Sequence, residues 1–355
     1  MEEQKRDIRN IPESELDQFL ASLQQPNFRL NQIKEWLWQK GAHGFNEMTN
    51  LPISLRQALH LHFEIRHGQI YEFQKSSDGT IKNAVKLYDG QVVESVLIPT
   101  SKRITACVSS QVGCSLDCHF CATARLKRMR NLKADEIFDQ VVLIDKQAQT
   151  LFGRPLSNIV FMGMGEPLLN YQSVIEAVEK ITQKDAGLGM AARRITISTS
   201  GIAKMIAKLA DEQPKFKLAL SLHSAVNSKR SSIMPINISN PLELLMESLR
   251  YWFEKTKSQV TFEYVVWKGF NDQEEDIQAL KLYCRKVPSK VNLIQYNSIG
   301  DERFIQADNE VVERYRSILE DDGTVVKIRK SRGIDIDAAC GQLANKNSLI
   351  QTLKI

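Results

Sequence analysis

The sequence contains no apolar run that approaches the roughly 20 residues needed to cross a membrane as a helix. It also contains no low-complexity segment, no short-period repeat and no sustained heptad pattern. Its formal net charge of +5 over 355 residues is mildly basic, which permits a polyanionic partner without requiring one. These absences argue against membrane-spanning, fibrous and coiled-coil classes, and we expect a globular monomer with no membrane partner.

The N-terminal run MEEQKRDIRN lacks the apolar stretch of a secretory leader. We therefore expect a cytoplasmic protein, in a compartment where thiols stay reduced. The six cysteines are an even number, but a framework of structural disulfides is not favoured there. The cysteines are therefore better considered as ligands or nucleophiles.

Three cysteines lie close together in the run GCSLDCHFCAT, with the spacing C-x3-C-x2-C: Cys114, Cys118 and Cys121. Three thiolates at this spacing can hold three corners of a 4Fe–4S cube and leave one iron open for a substrate. A structural zinc site usually has four ligands in two pairs, and this chain has a single C-x2-C. The spacing favours the cluster, while a zinc site and unrelated thiols remain open alternatives.

The N-terminal part of the chain and the segment after it have different patterns. Apolar residues recur three and four apart through residues 14–65, which predicts helices. Residues 69–100 alternate in polarity and contain two Asp-Gly pairs, which predicts a β-meander. We therefore predict a helical accessory domain at 1–68, a β-rich linker at 69–100, a core at 101–340 and a tail at 341–355.

From residue 103 onward, short β-rich runs alternate with amphipathic helical stretches. Six such units predict an α/β fold with a parallel sheet and right-handed crossovers, in the form of an open partial (β/α)6 barrel. The strands are predicted at 103–110, 157–163, 194–200, 217–223, 260–267 and 291–297, and the helices at 134–149, 171–184, 202–210, 241–255, 274–286 and 309–321. Ligands bind at the carboxyl ends of such strands, and the cysteine loop follows the first of them.

Polar residues also follow the later strands. Residues 163–167, GMGEP, combine glycines that let a ligand approach the backbone with Glu166, which can accept a hydrogen bond from a ligand ammonium. The other candidates at strand ends are Ser198, Ser200, Ser221, His223 and Asn297. For each one taken alone, a loop cap or a satisfied polar group is the simpler interpretation.

Basic residues are clustered along the chain. Such clusters are typical of solvated faces, but several of them near the predicted site loops are also compatible with contacts to a phosphate backbone. The clusters are Arg125, Lys127, Arg128, Arg130 and Lys133; Lys327, Arg329, Lys330 and Arg332; Arg193 and Arg194; and Lys229 and Arg230.

The C-x3-C-x2-C loop with Phe120 before its last cysteine, followed in order by GMGEP, STSG and SLH, resembles the radical S-adenosylmethionine (SAM) enzymes. The N-terminal helices and the runs VVESVLIP, ACVSSQVGC and DIDAACGQL narrow this likeness. The chain resembles the RlmN/Cfr family of RNA adenine methyltransferases over nearly its whole length, and most of all the branch that methylates carbon 2.

This resemblance implies two cofactors and the residues that hold them. One 4Fe–4S cluster per chain is expected on Cys114, Cys118 and Cys121, with SAM chelating its open iron. Two SAM molecules are expected per turnover, one as methyl donor and one as radical source. The expected SAM-binding positions are Gly165, Glu166, Ser198, Ser221, Leu222, His223 and Asn297.

The resemblance also implies catalytic roles outside the cysteine loop. Cys340 is expected to carry the methyl group as S-methylcysteine, and Cys107 to release the product by attacking Cys340 and forming a disulfide. Glu94 is expected to accept the proton that the adenine loses. Cys284 matches no functional position and is expected to be a structural thiol. Without the family match, an inert buried thiol would be the simpler interpretation of Cys340 and Cys107.

The substrates implied are an adenosine of the peptidyl transferase centre in 23S rRNA and the adenosine 3′ of some tRNA anticodons. The base must leave its stack to reach the carrier, and a low-potential electron donor such as flavodoxin is implied. Methylation of adenine carbon 8, as in the Cfr branch, remains an alternative. So does a noncatalytic metal-containing RNA-binding module.

Overall fold

The computed structural model describes residues 5–345 of the chain. The first four residues of the predicted accessory domain and residues 346–355 of the predicted tail lie outside the described part. The N-terminal region is helical, as predicted. Its elements are β1 (Arg6–Asp7), α1 (Glu13–Ser22), α2 (Phe28–Glu35), a π-helical turn (Trp36–Lys40), α3 (Ile53–His62) and β2 (Phe63–Glu64), with β1 and β2 paired in parallel.

Residues 69–99 form the predicted meander, whose strands are β3 (Gln69–Lys75), β4 (Ile81–Lys86) and β5 (Val92–Pro99). The two Asp-Gly pairs lie at its turns, where Gly79 and Gly90 have φ values of 86° and 82°. These values favour glycine because it carries no Cβ. The meander is continuous with the main sheet, since β5 pairs antiparallel with the first strand of the barrel.

The remainder of the chain alternates strands and helices, which confirms the predicted partial barrel. The elements are β6 (Ile104–Cys107), β7 (Gln111–Val112), β8 (Arg130–Asn131), α4 (Ala134–Phe152), β9 (Asn158–Phe161), α5 (Tyr171–Thr182), β10 (Ile195–Thr199), α6 (Ala203–Asp211), β11 (Lys217–Ser221), α7 (Asn227–Ile233), α8 (Ile236–Ser239), α9 (Leu242–Thr256), β12 (Val260–Val265), α10 (Glu274–Cys284), β13 (Ser289–Ile294), α11 (Asn309–Asp321) and β14 (Val325–Arg329).

The main sheet has ten strands in the order β14-β13-β12-β11-β10-β9-β6-β5-β4-β3. Neighbours from β6 to β14 are parallel, so their carboxyl ends share one edge. All six predicted strand–helix units are present. A further parallel strand, β14, was not predicted, and its residues Lys327 and Arg329 were interpreted only as part of a basic cluster. Its side chains alternate between exposed and less exposed, as an edge strand allows.

Burial of the central strands and of one face of each crossover helix stabilises this arrangement. All six residues of β12 are buried, which is typical of a parallel strand covered on both faces. On α6, Ile206 and Leu209 are fully buried, and on α9 so are Leu245 and Leu249. Their spacing of three or four residues places each pair on one helical face toward the sheet.

A buried ion cluster joins the N-terminal region to α4. The guanidinium of Arg9 has no exposed side-chain surface and lies 2.7 Å from Asp139, 3.2 Å from Asp135 and 3.6 Å from Asp7. Burial raises the pKa of Asp135 to about 6, opposed by Arg9 and assisted by the neighbouring carboxylates. One cation therefore balances several buried acids across this contact.

Replacing Arg9 with Met would retain most of the side-chain volume and remove the charge from among three carboxylates. We expect the free energy of unfolding to fall by about 3–5 kcal/mol, because breaking a buried pair leaves charges that solvent does not compensate. Urea denaturation followed by tryptophan fluorescence measures this loss. The matched control is Arg6→Met, which removes an exposed ion pair with Glu15 and should change stability little. Equal losses in the two variants would contradict this account.

Candidate functional site

The loops at the carboxyl ends of the parallel strands surround a cavity of about 1090 Å³, counted with its open mouth. Most of the candidate site residues line it: Cys114, Cys118, Cys121, Gly165, Glu166, Ser198, Ser200, Ser221, His223, Asn297 and Cys340. Residues from the start, middle and end of the barrel therefore meet at one place. The parallel sheet produces this convergence because all its strands end on the same side.

The cysteine loop leaves the sheet through a short ladder of its own, in which β7 pairs with β8. Gly113 follows β7 with a φ of 75°, and a Cβ there would lie 2.5 Å from the carbonyl oxygen of Lys127. Only glycine allows this close crossing of the two ends of the loop. The backbone of His119 donates to the carbonyl of Ile233, and His119 does not line the cavity.

The three cysteines present thiols at the cavity wall. Burial raises the pKa of Cys114 to about 11 and that of Cys118 well above its usual value, and the neighbouring thiols contribute to both shifts. Such thiols keep their protons until a cation binds, and metal binding then releases them. Within residues 5–345, no three His, Cys, Asp or Glu side chains converge on a single ion position. The donor set of three soft sulfurs along one wall fits an iron–sulfur cluster.

The GMGEP turn lies against the strand that leads to the cysteine loop. Gly165 has a φ of 95°, and a Cβ there would lie 2.5 Å from Cβ of Gln111. The carboxylate of Glu166 accepts from the backbone amides of Leu168 at 3.0 Å and Ser200 at 2.7 Å. Burial is the main cause that raises the pKa of Glu166, and these amides oppose it. Glu166 thus ties the loops after β9 and β10 together at the cavity.

Arg230 holds the loops after β10 and β11 together, a role that was not predicted from the sequence. Its side chain is fully buried and donates to the carbonyls of Ser200 at 2.6 Å, Ser221 at 3.1 Å and Leu222 at 3.1 Å. Leu222 itself packs in the core and does not line the cavity. No short motif marks an arginine used in this way.

A phosphate contact is therefore ruled out for Arg230, whereas Lys229 stays partly exposed. Arg230 is satisfied inside the protein, and Lys229 lies 2.7 Å from the buried carboxylate of Asp276. Exposed basic residues do remain beside the cysteine loop, namely Arg125, Lys127 and Arg128.

An aromatic cluster covers the far side of the cysteine loop. The ring of Phe120 meets that of His223 edge to face at 4.7 Å and lies 5.2 Å from Trp267. Burial, and then the charge of Arg230, lower the pKa of His223 to about 3, so its imidazole stays neutral near pH 7. Its Nδ1 accepts from the backbone amide of Val265. A neutral ring with a fixed tautomer is suited to hydrogen bonding with a ligand.

A second cavity adjoins the first, and Cys107 and Cys340 both line it. Cys340 lines the two cavities at once, and its side chain is open to the cavity surface although protein surrounds it. Arg329 lies at the same junction and pairs with Glu263 at 3.1 Å. Burial raises the pKa of Cys107 to about 12, with Cys340 adding to this and Arg329 opposing it. Two cysteines 233 positions apart thus become neighbours.

Two residues from the sequence analysis lie away from both cavities. Glu94 is 1% exposed and lines neither of them, because its carboxylate is hydrogen-bonded to backbone beyond Cys340. Cys284 is buried at the end of α10, next to Ser289. Burial raises the pKa of Cys284 to about 12, which fits an inert thiol.

Two family models match the chain. The model of the radical SAM superfamily matches residues 108–280, which include the cysteine loop and the strand ends up to α10. The model described as the ribosomal RNA large subunit methyltransferase N-terminal domain matches residues 6–65. Among residues 5–345, no helix has the length and apolar character needed to cross a membrane.

Similar proteins match over nearly the whole length. A probable dual-specificity RNA methyltransferase RlmN from Flavobacterium psychrophilum is 58% identical, over 98% of this chain and 99% of its own. One from Christiangramia forsetii is 59% identical with the same coverage. The crystal structure of a radical SAM methyltransferase from Sphaerobacter thermophilus superimposes with a TM-score of 0.88 at 38% identity, covering 95% of this chain and 99% of that one.

The cavities predict an order of thiol reactivity. At pH 8, a thiol whose pKa is about 12, as for Cys107 and Cys284, is ionised to roughly one part in ten thousand. Cys340 is exposed whereas Cys107 and Cys284 are buried, so we expect iodoacetamide to label Cys340 before either of them. Peptide mapping by mass spectrometry over pH 7–10 measures this, with Cys284 as the buried reference. Labelling of Cys107 at the rate of Cys340 would contradict the assignment.

Proposed function

Because this chain belongs to the RlmN family of radical SAM RNA methyltransferases, we propose that it methylates carbon 2 of adenine. The substrates would be the adenosine in the peptidyl transferase centre of 23S rRNA and the adenosine 3′ of the anticodon in tRNA. The observation that supports this best is the position of Cys340 at the junction of two cavities. One cavity contains the three loop cysteines and the other contains Cys107.

The cofactors of the family, a 4Fe–4S cluster and SAM, supply a carbon-centred radical when bound. We assign Cys114, Cys118 and Cys121 as the cluster ligands, because all three line the same cavity and sulfur is the donor that iron–sulfur clusters take. The residues assigned to SAM are Gly165, Glu166, Ser198, Ser221, His223 and Asn297. Leu222 would act only through its backbone carbonyl, which Arg230 already fixes.

The thiolate of Cys340 would attack the methyl carbon of one SAM, and the thioether S-adenosylhomocysteine would leave. The radical derived from a second SAM would take one hydrogen atom from the S-methyl group of Cys340, and the resulting carbon would then add to the adenine. Glu94 would accept the proton from carbon 2. Cys107 would next attack the sulfur of Cys340, releasing the methylated base and leaving a disulfide. Arg329 lies beside both cysteines, and its charge lowers the pKa of each against the effect of burial.

The RNA would approach the cavity mouth across the exposed basic residues next to the cysteine loop. The N-terminal helices would contribute further contacts, and the target base would flip out of its stack. We also propose a low-potential electron donor such as flavodoxin, a cytoplasmic location and a monomeric chain.

Anaerobic reconstitution with labelled SAM tests the reaction on ribosomal RNA and tRNA offered separately. We expect labelled 2-methyladenosine from both, identified by mass spectrometry of the nucleosides. Cys340→Ala should abolish the product because the methyl carrier is gone, whereas Cys284→Ala should retain it. A product methylated at carbon 8 would contradict the assignment of carbon 2 as the methylated position.

Metal analysis tests the cluster without any RNA. After anaerobic purification, we expect four irons and four acid-labile sulfides per chain, as for a 4Fe–4S cube. Cys118→Ala should lose most of both, because a cube held by two thiolates is poorly retained, and Cys284→Ala should retain both. One zinc per chain without sulfide would instead support a noncatalytic RNA-binding module.

A further inference from the structure

The segment that carries Cys340 is fastened to the meander at its upstream end. We define the carrier segment as residues 333–345. The amide of Gly333 donates to Asp78 at 3.0 Å. The carboxylate of Asp335 accepts from the hydroxyl of Ser76 at 2.6 Å and from the amide of Ser77 at 3.0 Å. These bonds hold the segment to the turn between β3 and β4.

The middle of the carrier segment is bonded to the cysteine loop. The amide of Ala122 donates to the carbonyl of Gly341 at 2.7 Å. The hydroxyl of Thr123 donates to the backbone carbonyl of Leu343, also at 2.7 Å. Both donors lie within two residues of Cys121 in the chain. The position of Cys340 is thus set from the side of the proposed cluster as well.

The downstream end is held by Glu94. Its Oε2 accepts from the backbone amides of Ala344 at 2.8 Å and Asn345 at 3.1 Å. The side chain of Asn345 also donates to the carbonyl of Val92 on the same strand, at 2.8 Å. A carboxylate with two backbone donors makes charge-assisted bonds, which are stronger than those between neutral groups.

The other oxygen of Glu94 is held differently. Oε1 accepts no hydrogen bond from any residue in the described part of the chain and lies 3.5 Å from Nζ of Lys82. The side chains of Lys82 and Glu94 are 4% and 1% exposed. The ammonium therefore lies beside the oxygen that the carrier segment does not bond, and it would remain if the two amides left.

The position of Glu94 conflicts with a single role as proton acceptor. It lines neither cavity, while Leu343, next to the two bonded amides, lines both. An adenine in the cavity reaches the carboxylate only after residues 343–345 move aside. Glu94 thus cannot hold the segment in this way and face the base at the same time.

We propose that Glu94 is also a positioning residue, a latch that fastens the carrier segment in the RNA-free protein and exchanges the amides of Ala344 and Asn345 for the substrate base. The exchange with the base rests on the proposed function, whereas the latch itself does not. Lys82, whose Nζ lies 3.5 Å from Oε1, holds the carboxylate in place through the exchange. The bonds at Asp78, at Asp335 and at the carbonyl of Gly341 hold the rest of the carrier segment while residues 343–345 move.

Hydrogen–deuterium exchange on the full-length, RNA-free protein tests the latch. Glu94→Gln keeps an acceptor oxygen and removes the charge, so we expect the amides of Ala344 and Asn345 to exchange about tenfold faster. The matched control is Asp145→Asn, another carboxylate that accepts a distant backbone amide, that of Leu156 at 2.7 Å. It should speed exchange at Leu156 and leave residues 344 and 345 unchanged.

A second variant keeps the test decisive if Glu94→Gln does not fold. Asn345→Ala removes the bond to Val92 at a partly exposed position and leaves Glu94 intact. It should speed exchange at the same two amides several-fold. Unchanged exchange at both amides in every folded variant would overturn the latch.

The RNA arm uses the wild-type protein without SAM and with saturating unmodified tRNA. Exchange at residues 344 and 345 should rise several-fold, and a tRNA with guanine at the target position should not cause this rise. No rise with bound substrate tRNA would overturn the exchange with the base. Failure of the methylation assay with a normal latch would instead count against the proposed function, so the two failures are distinguishable.

Discussion

The structure depends on satisfying the backbone groups that a parallel sheet leaves exposed at its carboxyl edge. The loops that follow these strands lie beside a cavity, and buried peptide groups without partners would each cost on the order of 1–3 kcal/mol. Glu166 accepts from two such amides, and Arg230 donates to three such carbonyls. The carboxylate of Glu166 binds backbone donors and the guanidinium of Arg230 binds backbone acceptors, so the two side chains together fix these loops. The site can therefore be both open and rigid.

The sequence was sufficient for the elements whose signals are local. Helical periodicity and the alternation of the meander each span a dozen residues or more, and the cysteine spacing is a feature of a single loop. Strand β14 was not predicted, because Val325–Arg329 contains two basic residues in five. The strand lies at the edge of the sheet, where polar side chains are tolerated. Its last residue, Arg329, turns out to face the cavities, whereas Lys327 is exposed as a basic cluster would suggest.

The parts of the site that sequence could not predict are those made by tertiary contact. Arg230 is adjacent to a lysine that pairs with Asp276, so the dipeptide suggests a surface patch although neither charge is free for a ligand. Cys107 and Cys340 come together because β14 and the segment after it return beside the carboxyl end of β6. Resemblance to a family could propose that pair, but the shared cavity supplies a physical reason for it.

The contacts of the meander show that it does more than connect the N-terminal region to the barrel. A linker would connect two domains and have few contacts of its own, yet residues 76–78 and 92–94 hold both ends of the segment that carries Cys340. The antiparallel strands thus extend the sheet beyond its barrel to the point where the chain returns from β14. A partial barrel leaves that side open, and here the open side is where a carrier can be held and released. Glu94 lies on β5, which is paired with β4 on one side and with β6 on the other, so the proposed exchange of partners takes place on a face of the sheet and leaves the strand pairing intact.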